Sequence, residues 1–126
     1  MGLVHHHLIY QAKVGRDDLK DNAEEILKNF LYDLVKEIEM QVLIDPVLKF
    51  SHNLAWTGLV GIVTSHISFH YWTVERYLQL DIYSCKEFDV KKVKIFLDKF
   101  WFASKQKILF INRESGKDFI INKING

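Results

Sequence analysis

The stretch from Thr57 to Cys85, TGLVGIVTSHISFHYWTVERYLQLDIYSC, constrains this chain more than any other part of it. β-Branched and aromatic residues are densest here, and they divide into three runs: Thr57 to Val63, Ile67 to Trp72 and Tyr77 to Ser84. Each has the length and composition of a strand. The last run alternates, with Tyr77, Gln79, Asp81 and Tyr83 on one face and Leu78, Leu80, Ile82 and Ser84 on the other. Thr57, Thr64, Ser65, His66, Ser68, His70 and Cys85 put hydroxyl, imidazole and thiol groups into the same stretch. A strand buried only for packing has no use for that mixture.

The flanking segments fit an α+β fold. Leu3 to Ala12 reads as a first strand, with no breaker before Gly15. Asp17 or Asp18 offers an N-cap for a helix running to about Met40. Its apolar residues (Leu19, Ala23, Ile26, Leu27, Phe30, Leu31, Leu34, Val35, Ile38) recur in steps of three and four and make one buried stripe. Gln41 to Phe50 is expected as a strand interrupted at Asp45-Pro46, because proline cannot donate to a central ladder. Ser51 to Leu54 reads as a turn. Asp89 caps a second amphipathic helix to about Phe102, and Lys107 to Asn112 and Phe119 to Ile124 close the chain as strands. The expected order is β-α-β-β-β-β-α-β-β, a two-layer sandwich of one mostly antiparallel sheet with both helices on one face. The other face is then uncovered, which argues for burying it against a second copy.

At 126 residues the chain is expected to form one domain spanning 1–126. A net charge of +1 carries no electrostatic signature of a nucleic-acid or anionic-membrane partner. The longest apolar run, Leu54 to Val63, is too short to span a bilayer, and no basic segment leads into an apolar one at the N-terminus. The single cysteine excludes an intrachain disulfide and a cysteine zinc cage, and fits a reducing compartment. A cytoplasmic location is expected. No metal is expected: on a strand His5 and His7 share a face, His6 points away, and no carboxylate joins them at a useful spacing in sequence.

Taken singly, the chemical residues have ordinary explanations. Ser65-His66 can be a turn residue beside a surface imidazole, His70 a hydrogen-bonded core or interface histidine, and Cys85 a small buried hydrophobe. No Gly-x-Ser-x-Gly elbow surrounds Ser65. Together, however, Thr57-Gly58, Thr64-Ser65-His66-Ile67-Ser68-Phe69-His70, Trp72, Tyr77, Asp81 and Cys85 resemble the signature of the prokaryotic S-adenosylmethionine decarboxylases. That family shows a Ser-Gly pair, a Glu-Ser-His-x-x-x-His run, a Trp-Pro-Glu, and an Asp four residues before a Cys-Gly. The spacings from Ser65 to His70 and to Cys85 match without a gap, and His7-Leu8-Ile9 extends the likeness to the N-terminus.

The resemblance implies a self-processing enzyme with a pyruvoyl cofactor, decarboxylating S-adenosylmethionine for spermidine synthesis. Ser65 would attack the carbonyl of Thr64, the resulting ester would open by β-elimination, and Ser65 would become the pyruvoyl group heading the second chain. That ketone condenses with the substrate amine and takes up the electrons released as carbon dioxide departs. The resemblance gives His70 and Thr57 the task of assisting cleavage, and Cys85 that of proton donor to the product. Ser65 and His70 differ in parity, so on one regular strand they face opposite ways. Either a turn or bulge separates them, or Ser65 meets the His70 of a second copy. The family has the second arrangement, a homodimer with sites at the interface, Ser65 and Cys85 from one protomer and Thr57 and His70 from the other.

Several positions depart from the pattern. The glutamate before the serine is Thr64, the Pro-Glu after the tryptophan is Thr73-Val74, and the glycine after the cysteine is Lys86. In the family that second glutamate holds the substrate ribose, and losing a charged acceptor costs on the order of 1.5–3 kcal/mol. Phe50 and Glu75 remain as candidate substrate contacts. Glu75 comes one residue late and on a strand would face the wrong way unless a bulge shifts it. Two alternatives stay open: a decarboxylase of arginine or ornithine, and a non-cleaving paralogue acting as a binding or partner subunit.

Overall fold

The computed structural model describes residues 4–125. Seven strands and two helices follow one another as β1 (His6–Lys13), α1 (Ala23–Glu37), β2 (Val42–Ser51), β3 (Ala55–Ile62), β4 (Ser65–Trp72), β5 (Tyr77–Ser84), α2 (Val90–Trp101), β6 (Ser104–Asn112) and β7 (Ile120–Ile124). The strands form one sheet in the order β2-β3-β4-β5-β1-β6-β7, and every neighbouring pair is antiparallel. The expected α+β sandwich is what the chain forms, and the expected element order holds throughout.

Alternation along the strands sorts the residues onto two faces. Leu8, Tyr10 and Ala12 of β1, Ile67, Phe69 and Tyr71 of β4, and Leu78, Leu80 and Ile82 of β5 are buried on one side. Both helices pack there. From α1, Phe30 meets Phe69 edge-on at 5.9 Å and Trp101 of α2 at 5.2 Å. Trp101, fully buried, also lies against Phe69 and Tyr71. The Tyr10 hydroxyl donates to Asp98 at 2.6 Å, tying α2 to the middle of the sheet, and Lys94 neutralises the same carboxylate. Burial and that carboxylate push the Tyr10 hydroxyl far above its usual range, so it stays a donor.

Close approach at Gly58 positions β4. A Cβ there would lie 2.4 Å from the Phe69 ring and 2.8 Å from Leu48, so the missing side chain is what lets Phe69 lie across β3 toward the helices.

Several boundaries differ from the sequence reading, each for an identifiable reason. The proposed start of β1 at Leu3 lies outside the described residues. Asp17 and Asp18 do not cap α1: Asp17 pairs with Arg76, Asp18 pairs with Arg16, and Asn22 takes the cap position without a side-chain bond. Asp89 does cap α2, accepting from the Lys92 amide at 3.2 Å. Asp45 and Pro46 break the register of β2 against β3 without ending the strand, which an edge position allows. The three-residue loop after β2 has both His52 and Asn53 in the left-handed region, and the Leu54 amide donates to the Ser51 carbonyl at 3.0 Å, closing a turn of primed type. Strand β4 begins at Ser65, two residues before the expected start, which puts Ser65 on the sheet's last rung.

Candidate active site

The chemistry-bearing residues gather at two places on β4. The first is its N-terminal end. Val63-Thr64 is the two-residue turn between β3 and β4, closed by the Ile62–Ser65 pair. Thr64 has a φ of 58°, a region that a β-branched side chain enters at a cost of about 1–3 kcal/mol. The peptide joining Thr64 to Ser65 therefore sits beside local strain. Ser65 turns its hydroxyl to the helix side, where the residue is 7% exposed. Cys85, one residue beyond β5, reaches the same spot. Its amide donates to Ser65 Oγ at 3.0 Å, and the Ser65 hydroxyl donates to its sulfur at 3.5 Å. The Thr64 hydroxyl lies 2.7 Å from the same sulfur and 2.7 Å from the Val63 carbonyl oxygen. Hydrogen bonding from Thr64, then from Ser65, holds the partly buried Cys85 thiol below its usual range.

The second place is the far end of β4 on the uncovered face. Thr57 of β3 and His70 of β4 are directly paired across the ladder, with Thr57 Oγ1 3.0 Å from His70 Nδ1. The exposed His70 ring also stands 5.8 Å from Trp72. No register shift interrupts β4 against either neighbour, so Ser65 and His70 lie on opposite faces of one regular strand. Of the arrangements open to the sequence, a bulge between them is therefore ruled out. The structure brings Ser65, Thr64 and Cys85 together, brings Thr57 and His70 together, and keeps the two groups apart.

The two substrate-contact candidates fall elsewhere. Phe50 is opposite Trp56 at the edge of the sheet, the rings 5.2 Å apart. Glu75 is not on a strand, so the parity objection to it does not apply. It belongs to the turn between β4 and β5 and, with Lys13, Trp72 and Tyr77, lines a pocket of about 430 Å³. Val74 in that turn is 79% exposed.

Sequence reasoning missed three features. A carboxylate does join the histidines: Asp81 of β5 accepts from or pairs with His7 Nε2 at 3.2 Å, across a pairing that spacing along the chain cannot reveal. Among the described residues no group of three His, Cys, Asp or Glu could hold a metal ion. His5 bonds through Nδ1 to the Tyr83 hydroxyl, and Arg113 stacks over the same ring at 5.0 Å. The Thr64–Cys85 contact is the third.

Comparison with known proteins places these residues in context. The S-adenosylmethionine decarboxylase family profile matches residues 6–114. An S-adenosylmethionine decarboxylase proenzyme of Pyrococcus horikoshii is 33% identical over 87 residues, covering 69% of this chain and 61% of that one. A protein of the same name from Clostridium botulinum is 28% identical over 93 residues, covering 73% and 78%. The match thus spans about three-fifths of the archaeal relative's length. The crystal structure of the adenosylmethionine decarboxylase from Aquifex aeolicus superposes with a TM-score of 0.70 at 17% identity, covering 87% of this chain and 90% of the other. That likeness is one of fold. No helix among the described residues is long and apolar enough to cross a membrane. Matched over residues 6–114, a span that contains both ends of β4 and the cysteine after β5, the chain belongs to the S-adenosylmethionine decarboxylase family.

Proposed function

We propose that this chain is a self-processing, pyruvoyl-dependent decarboxylase of S-adenosylmethionine, serving spermidine synthesis in the cytoplasm. The observation that carries the reading is the Ser65 hydroxyl, buried, held by the Cys85 amide, and placed directly after a turn strained at Thr64. These residues fit the origin of a pyruvoyl group. Ser65 Oγ would add to the Thr64 carbonyl carbon, and the peptide C–N bond would give way to an ester and a free amine. Loss of the Ser65 α-proton then expels the Thr64 carboxylate, and water replaces the nitrogen at residue 65, releasing ammonia. A ketone at residue 65 supplies an electron sink for the carbanion left by carbon dioxide. Cys85, beside that position, would hold the proton the product needs. The relatives named above are decarboxylases of S-adenosylmethionine, which favours this substrate over arginine, ornithine or a non-cleaving role.

A homodimer completes the proposal. Thr57 and His70 lie on the opposite face of an unbulged strand from Ser65 of their own chain, which favours a second copy as the source of the pair that assists at Ser65. The open face offers apolar residues for that contact, among them Ile44, Val47 and Leu59, each about half exposed, and Ser65, on the last rung of the sheet, would be met around the end of β4 rather than through it.

Cutting after Thr64 would leave the fold intact. Residues before the cut supply β1, β2 and β3, and residues after it supply β4 to β7. Strand β1 lies between β5 and β6, so the two pieces interleave within one sheet.

Denaturing mass spectrometry of the purified protein tests the proposal, together with carbon dioxide release from carboxyl-labelled S-adenosylmethionine. Two masses, for residues 1–64 and 65–126, and labelled gas are expected. A single intact mass would refute it.

A further inference from the structure

Within one chain, the residue nearest the Ser65 hydroxyl that can take a proton is Cys85, its sulfur 3.5 Å away. His70 sits on the other face and near the other end of β4. We propose that the Cys85 thiolate, held in place by the Thr64 hydroxyl, is the base that starts the cut at Thr64–Ser65. The inference rests on the processing reading above and adds to it a catalytic group for the first step and a positioning residue for that group.

The geometry is a three-membered cluster. The Ser65 hydroxyl donates toward the sulfur at 3.5 Å, the Cys85 amide donates to Ser65 Oγ at 3.0 Å, and Thr64 Oγ1 stands 2.7 Å from the sulfur. The amide contact aims one lone pair of Ser65 Oγ and fixes its proton toward Cys85. Thr64 has one hydroxyl proton and two acceptors within reach, the Val63 carbonyl and the sulfur. Directed at Val63, it leaves its oxygen free to accept from a Cys85 thiol. Turned to the sulfur, it stabilises the thiolate. Two hydroxyl donors on one sulfur favour the charged form, the direction in which this thiol is displaced.

The step balances within the chain. The sulfur takes the Ser65 proton as Oγ bonds to the Thr64 carbonyl carbon. When the C–N bond breaks, the new amine takes that proton back, leaving an ester and a thiolate. No co-reactant is needed. The threonine that replaces the family's glutamate is thus a hydroxyl where a second negative charge would oppose the thiolate.

Other titratable groups near this corner are occupied. The Lys86 ammonium donates to the Glu39 carbonyl at 2.8 Å, the Tyr83 hydroxyl bonds His5, His66 lies against the Tyr83 ring, and Glu87 acts on His6. None of them hydrogen-bonds the sulfur among the described residues.

The test follows the rate of cutting against pH, from freshly translated full chain, by denaturing mass spectrometry. Cys85→Ala is expected to slow cutting on the order of 100-fold, within the usual contribution of a general base. Thr64→Val keeps the branched shape and loses only the hydroxyl. It is expected to slow cutting at neutral pH about tenfold and to move the rising limb of the profile to higher pH, with Thr64→Ser restoring both. Iodoacetamide alkylation of Cys85 in the uncut Ser65→Ala chain gives a readout independent of cutting, and Thr64→Val should again shift its profile upward. A wild type that cuts, with Cys85→Ala cutting equally fast or Thr64→Val leaving both profiles in place, would overturn the inference while leaving self-processing intact. A wild type that never cuts overturns both, and the two failures are told apart by that mass alone.

Discussion

Ser65 and His70 share strand β4, five positions apart in number, with no bulge between them, and their side chains leave the sheet on opposite sides. If the complete site joins Ser65 of one copy to His70 of another, two defective chains can rescue each other. Ser65→Ala and His70→Ala should each fail to process efficiently alone. Co-expressed, the mixed dimer holds one site with both residues intact, so a fraction of the His70→Ala chains should be cut normally. Tagging the two variants differently and weighing each chain measures this. Absence of rescue in a dimer shown to be mixed would mean that His70 acts within its own chain.

Ser65→Ala by itself should leave the chain whole and folded. The substitution removes the acceptor for the Cys85 amide, a loss of about 1 kcal/mol, while the rest of β4 keeps its ladder bonds. Urea unfolding should show a slightly lowered midpoint with an unchanged slope. Two fragments from this variant would exclude Ser65 as the nucleophile.

Gly58 links packing to the site. Gly58→Ala would drive a methyl group into the Phe69 ring, and the adjacent residues on the two strands are Thr57 and His70. Overpacking of this kind costs about 1–3 kcal/mol. The variant should melt lower and process more slowly than wild type. Unaltered melting would show that Phe69 can move aside freely.

Stability should also fall in mild acid. His6 is 8% exposed, lies 4.9 Å from Phe110, and has Nδ1 without a hydrogen-bond partner. Burial lowers its pKa below 6.5 despite the opposing pull of Glu87. The unfolded chain then binds the proton more readily, so this contribution is fully present above the unfolded value of 6.5 and is lost as the pH falls toward the folded one. His6→Leu should flatten the decline in melting temperature between neutral and mildly acid pH. An identical decline in the variant would assign the effect to other groups.

What could be seen in the sequence follows from how local each signal is. Alternation from Tyr77 to Ser84 and the stripe from Ala23 to Ile38 depend on neighbours within a few residues, and both produce the expected elements. Asp89 is a legible cap because nothing else competes for it. Asp17 and Asp18 misled because Arg76 and Arg16 draw them away, and one of those partners is far along the chain. The parity of Ser65 and His70 was readable because it needs only a regular strand. The contact between Thr64 and Cys85 was not, because it depends on the register of β4 against β5 and on where β4 begins. His7 with Asp81 is hidden for the same reason.

The last prediction concerns substrate recognition, where the chain departs furthest from its family. Replacing Thr73-Val74 by the family's Pro-Glu looks like the direct way to restore a ribose-binding carboxylate. The structure argues against the double change. The Thr73 amide donates to the Leu54 carbonyl at 3.1 Å, joining the two turns at this end of the sheet, and proline has no amide hydrogen to give. Val74→Glu alone keeps that bond. Val74 is exposed and lies in the turn that borders the pocket of Lys13, Trp72, Glu75 and Tyr77, so the longer side chain fits without repacking. In the proposed dimer the single substitution should tighten S-adenosylmethionine binding at Ser65 of the second copy about tenfold, equivalent to about 1.4 kcal/mol, and leave processing unchanged, because Thr57, Ser65, His70 and Cys85 are all untouched. Thr73→Pro should lower the melting temperature instead. Measuring KM and the cut fraction for both variants separates the two effects. Unchanged KM in Val74→Glu would place ribose recognition outside this turn.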